Sequence, residues 1–152
     1  MHDQQRKRDP GGGLLQRERL PLAQHEVRLT GHAIEARVNA EDPARGFLPS
    51  AGRLSLLEWP VMESVRVDAG FGTGDPVPDH YDSLLGKLVV WDEDRASALA
   101  RLARALKELE IGGISTTRPL HLALAADDSV RKAQYHTRWL EGWLEANAAH
   151  LA

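Results

Sequence analysis

The stretch Gly31-His32-Ala33-Ile34-Glu35-Ala36-Arg37-Val38-Asn39-Ala40-Glu41-Asp42-Pro43 alternates in character from His32 to Ala40. Successive side chains of an extended chain point to opposite faces, so His32, Ile34, Ala36, Val38 and Ala40 share one side and Glu35, Arg37 and Asn39 the other. That pattern predicts a half-buried strand with an apolar face and a charged face. Asp42-Pro43 ends it, because proline has no N–H for a ladder and aspartate favours turns.

Downstream, Leu48-Pro49-Ser50-Ala51-Gly52 reads as a second turn. A second strand is predicted from about Arg53 to Glu58, with Leu54 and Leu56 on one face, and a third around Val65 to Asp68, where Val65 and Val67 oppose Arg66 and Asp68. After the Gly- and Pro-rich stretch from Gly70 to Pro78, the run Leu84-Leu85-Gly86-Lys87-Leu88-Val89-Val90-Trp91 is apolar and β-branched enough for a central strand. Together these strands predict one antiparallel sheet. Asp94 is the expected N-cap of a helix carrying Leu99, Leu102, Leu106 and Leu109 at spacings of three and four, with Gly112-Gly113 as its stop. A shorter helix is expected near Thr117, with Pro119 in its first turn, and a last one near Thr137, with Trp139/Trp143 and Leu140/Leu144 one turn apart. Strands first and helices after define an α+β class, an antiparallel sheet followed by packed helices.

At 152 residues, 42% of them hydrophobic and 27% charged, the chain can build one ordinary core. Residues 1–20 are polar, charged and Gly-rich and read as a disordered tail, which leaves residues 21–152 for the domain. A net charge of −3, with basic residues scattered among acids, argues against nucleic acid as a partner. No apolar run approaches the roughly 20 residues that span a bilayer, and none follows the basic start, so neither membrane nor secretion is expected. The absence of Cys excludes thiolate chemistry and disulfides and agrees with a cytoplasmic address. Gly11-Gly12-Gly13 has no Lys-Ser/Thr after it and no strand before it, so it reads as linker and not as a phosphate loop. The seven His show no ligand-like pairing, which speaks against a metal site. His32 is expected in the core, His121 and His136 at the surface.

The residues from Gly31 to Pro43, followed by Phe47-Leu48-Pro49-Ser50 and Gly52, resemble the opening of the biotin carboxylase C-terminal domain. Val65-Arg66-Val67-Asp68, Gly74, Val77-Pro78, Tyr81-Asp82-Ser83-Leu84-Leu85-Gly86-Lys87-Leu88, Arg95, Ala98, Ala105-Leu106, Glu108 and Ile111 continue that resemblance in order and spacing over about residues 20 to 145. Thr117 stands where the family usually has Asn, so a weaker helix cap is expected there, and the segment before Val65 looks shortened.

The resemblance implies the half-reaction that biotin-dependent carboxylases share. ATP and bicarbonate give carboxyphosphate, and the carboxyl group passes to the ureido N1 of biotin. Biotin would be the substrate, and ATP and Mg would enter only through an ATP-grasp partner, because the family's ATP-grasp motifs are not in this sequence. The chain is therefore expected to be inactive alone. An acyl-CoA carboxylase of fatty acid metabolism is the expected setting, although another component chooses the acyl group. Implied partners are a biotin carboxyl carrier protein or domain, the ATP-grasp partner and a second copy of the chain.

By the same resemblance Arg66 is the catalytic candidate, at the position of the arginine that stabilises the biotin enolate. A guanidinium suits that work because it stays protonated and offers a rigid fork of donors to an oxyanion. The plainer alternative is a solvated strand arginine paired with an acid. Tyr81, Asp82 and Lys87, with Ser83, are implied to line the biotin region beside Arg66. Lys87 and Asp82 could instead satisfy each other, and Glu35 and Arg37 admit the same two readings. Arg95 matches an arginine near the subunit interface. Three functions stay open: half of a split carboxylase, a non-catalytic binding or dimerisation module, or an inactive remnant.

Overall fold

In the computed structural model, alternation does decide the first strand. β1 (His32–Asn39) buries Ala36 and Val38 while Glu35 and Arg37 stay exposed. It pairs antiparallel with β8 (Leu84–Asp92), and β8 pairs on its other side with β6 (Val65–Ala69), giving a three-stranded sheet in the order β1-β8-β6. The apolar run from Leu84 to Trp91 is thus central, as its composition predicts. The structure describes residues 21–147 and 151, and the tail expected over residues 1–20 lies outside them. Described residues up to Thr30 group by themselves, with one 3-10 turn at Gln24–Glu26, and Gly31 opens the unit that carries the sheet.

The expectation of one sheet is corrected. β2 (Glu41–Asp42) pairs with β3 (Leu48–Pro49), β4 (Gly52–Arg53) with β7 (Pro76–Val77), and β5 (Leu56–Glu58) with β9 (Glu110–Gly112), each as a separate two-stranded ribbon. The strand expected from Arg53 to Glu58 is therefore two pieces. Its buried leucines are Leu54 and Leu57, not Leu54 and Leu56, because the chain leaves one partner at Arg53 before meeting the next at Leu56.

α1 (Arg95–Glu108) is capped by Asp94, whose side chain accepts a hydrogen bond from the Ser97 backbone N–H. It ends four residues before the expected glycine stop. Leu109 turns to extended backbone, and Ile111 then pairs with Leu57, so Glu110–Gly112 is strand. Gly113 has a φ of 98°, and a Cβ there would strike the Arg53 carbonyl, so the glycine serves this close passage of two chains. α2 (Arg118–Ala126), the short α3 (Asp128–Arg131) and α4 (Trp139–Asn147) follow. The core joins Ala36, Val38, Leu88 and Val90 of the sheet to Leu102, Ala105, Leu106 and Leu109, with Leu54, Leu57 and Leu85 around them. Trp59 packs so close to Gly86 that a Cβ there would lie 2.8 Å from its ring. This is an α+β architecture in which α1 covers one face of the sheet. None of the helices among the described residues is long and apolar enough to cross a membrane.

Candidate functional site

The face of the sheet opposite α1 carries the charged residues. Ladder register places Glu35 beside Val89 and Val89 beside Arg66, and in the next row Arg37 beside Lys87 and Lys87 beside Asp68. Five charged side chains from three strands therefore surround Val89. Arg66 Nη2 donates to Asp68 Oδ2 at 2.8 Å, and the two side chains are 72% and 49% exposed. Lys87 Nζ lies 4.0 Å from Glu35 Oε2 across the β1–β8 pairing. A shallow hollow beside Arg66 is lined by Ser64, Val65, Val89, Val90 and Trp91.

Of the predicted site residues, Arg66 and Lys87 meet on this face, and Glu35 and Arg37 join them. Lys87 does not pair with Asp82. The Asp82 carboxylate accepts from the Leu84 backbone N–H and so fixes the turn into β8. Tyr81 is exposed, its ring 4.7 Å from that of His80, and it borders a separate hollow with Glu41, Ala51, Val77 and Ser83. Arg95 belongs to the other side of the sheet. It opens α1, and its guanidinium donates to the Val130 carbonyl at 2.7 Å and approaches His32 Nε2 at 3.2 Å, while Nε is buried without a partner among the described residues.

At the end of β1 lies a polar network that the sequence reading missed. Asn39 Nδ2 donates to Ser83 Oγ and to Glu41 Oε1, and Ser83 Oγ also donates to Glu41. The Thr117 hydroxyl accepts from the Asn39 backbone N–H at 3.0 Å and donates to the Arg37 carbonyl at 3.2 Å. It makes no side-chain cap to α2, so the weak cap expected at Thr117 is a hydroxyl committed to β1. The partners lie next to a register shift at Val38/Asn39 that leaves backbone groups off the ladder. His121 is half-buried and not at the surface, and its Nε2–H donates to the same Arg37 carbonyl at 2.8 Å. Burial holds this imidazole below the usual histidine pKa, against the opposing effect of that hydrogen bond. His32, expected in the core, is also only half-buried, while His136 is exposed as expected. The one cue available in sequence was the placement of Asn39 on the polar side of the alternation.

A sheet covered by helices on one face, with an exposed arginine among charged neighbours on the other, defines an α+β domain with one charged face. Residues 35–142 match the family model of the biotin carboxylase C-terminal domain, and the chain belongs to that family. It is 42% identical over 128 residues to a biotin carboxylase of Nostoc sp., covering 84% of this chain and 29% of the relative. It is 39% identical over 124 residues to one of the subunits of the pyruvate carboxylase of Methanothermobacter thermautotrophicus, covering 82% and 25%. The biotin carboxylase domain dimer of the Hydrogenobacter thermophilus 2-oxoglutarate carboxylase, in complex with MgADP, ADP and bicarbonate, superposes with a TM-score of 0.85 at 35% identity, covering 90% of this chain and 30% of that one. The chain thus spans less than a third of the length of each of these relatives.

Proposed function

We propose that the chain forms the C-terminal part of a biotin carboxylase and lends Arg66 to the carboxylation of biotin on its carrier. The observation that carries this reading is the guanidinium of Arg66. It stands on the exposed face of β6 with a single partner, Asp68, among the described residues, and the sequence resemblance assigns it the role of the family's enolate-stabilising arginine. Loss of the ureido N1 proton moves negative charge onto the ureido oxygen. A fixed cation with free N–H donors lowers the energy of that charge as it develops. Lys87 and Arg37 add positive charge on the same face, while Tyr81 and Asp82 stand apart from it at the turn into β8. ATP, Mg and bicarbonate would be handled by an ATP-grasp partner, encoded with this chain or apart from it. The setting is an acyl-CoA carboxylase of the cytoplasm, with a biotin carboxyl carrier protein or domain bringing the substrate.

The test is bicarbonate- and biotin-dependent ATP hydrolysis by this chain mixed with an ATP-grasp partner. The expected result is activity in the mixture that falls about 10²-fold or more with Arg66→Ala. An Arg66→Ala mixture as active as the wild type would overturn the assignment.

A second reading, a dimerisation module, is favoured by Arg95, whose half-buried guanidinium stands beside exposed Tyr135. In it Arg95 supports a homodimer contact. Dimer in sedimentation without activity in any mixture would favour this reading over the first.

A further inference from the structure

Arg66 needs direction as well as charge. A guanidinium on a flexible stem, largely in solvent, samples many rotamers, and a group that must meet a developing oxyanion works best when it is already aimed. We propose that Asp68 is a positioning residue for Arg66, holding one edge of the guanidinium so that its other edge stays open to the ureido oxygen. This inference rests on the reading of Arg66 given above.

Three observations carry it. Arg66 and Asp68 are two residues apart on one strand and so share a face, while Val67 between them turns toward the core. The contact at 2.8 Å uses Nη2 alone, and Nε and Nη1 have no partner among the described residues. Nη2 has a second N–H, so Nη1 together with that hydrogen can still form a two-donor edge beside the contact to Asp68. The third observation concerns the competing cation. Lys87 stands directly opposite Asp68 in the ladder, yet its ammonium lies toward Glu35 on the far strand. Each acid on the face therefore has its own base, and Asp68 is left to Arg66. An ion pair this exposed contributes little to folding, so stability does not account for the arrangement.

The experiment compares Arg66→Ala, Asp68→Ala, Asp68→Glu and the double variant Arg66→Ala/Asp68→Ala in the reconstituted mixture. Expected for Asp68→Ala is a kcat lower by roughly tenfold to a hundredfold with little change in the KM for biotin, and partial recovery in Asp68→Glu. The double variant should be no slower than Arg66→Ala alone, because Asp68 acts only through Arg66. A purely structural aspartate would give additive losses and a lowered melting temperature. In the chain alone, nitrogen-15 NMR should show slow rotation of the Arg66 guanidinium that becomes fast in Asp68→Ala. Fast rotation in the wild type would overturn the proposal. So would an Asp68→Ala mixture of unchanged kcat beside an inactive Arg66→Ala one, and that outcome would leave the carboxylase reading standing. Unchanged turnover in Arg66→Ala would remove both.

Discussion

The two faces of the β1-β8-β6 sheet are made by the same strands, and adjacent residues serve opposite ends. Toward α1 the strands present Ala36, Val38, Leu88 and Val90, which are at most 2% exposed. Away from it they present Glu35, Arg37, Lys87, Arg66 and Asp68, which are half-buried or exposed. The apolar face supplies the burial that holds the fold, and the charged face carries the residues of the proposed site. Leu88 and Lys87 are neighbours in sequence, and they should respond to truncation in opposite ways. Leu88→Ala should cost about 2–5 kcal/mol of unfolding free energy in urea, whereas Lys87→Ala should stay within about 0.5 kcal/mol. Equal losses would break the division between the faces.

Thr117 tests where the division is bridged. Its hydroxyl reaches from the start of α2 to two backbone groups of β1, next to the register shift. Thr117→Val keeps the shape and removes the hydroxyl, leaving a part-buried N–H without this acceptor, and should cost about 1–3 kcal/mol by the same urea titration. A neutral result would mean that the strand relaxes around the loss.

His121 sharpens the comparison through pH. Its folded pKa lies below the ordinary 6.5, so between those two values the unfolded chain binds more protons than the folded one. The His121 contribution is complete above pH 6.5 and is lost as pH falls through 6.5 toward the folded value. Chemical denaturation across that range should show stability falling with acid, and His121→Gln should flatten the slope. An unchanged slope in the variant would assign it to other groups.

The elements most legible in the sequence were those whose cause is local. Alternation gave β1 and β6, the β-branched run gave β8, and Asp94 marked the start of α1. What stayed hidden depends on partners far away in the chain. Ile111 precedes the expected Gly112-Gly113 stop, and only Leu57 opposite it makes the segment a strand. The division of Arg53–Glu58 between two ribbons depends likewise on Pro76 and Ile111. For the site, strand parity placed Arg66, Asp68, Glu35 and Arg37 on one face, but parity does not say which acid meets which base. Lys87 had an acid five positions earlier in Asp82, and the fold gave it Glu35 instead. The hydroxyl of Thr117 finds Asn39 at a separation of 78 residues, beyond any local pattern.

Arg66 rides on an outer strand. Among the described residues β6 is hydrogen-bonded to β8 on one side only, and none of its five residues is buried, whereas β1 buries two. Such a strand is expected to open locally more readily than the central one, so its amides should exchange with solvent before those of β8. On warming, the arginine should lose its place before the domain loses its fold, and the carboxylation proposed for it should fade while the spectroscopic signal of the native state is still intact.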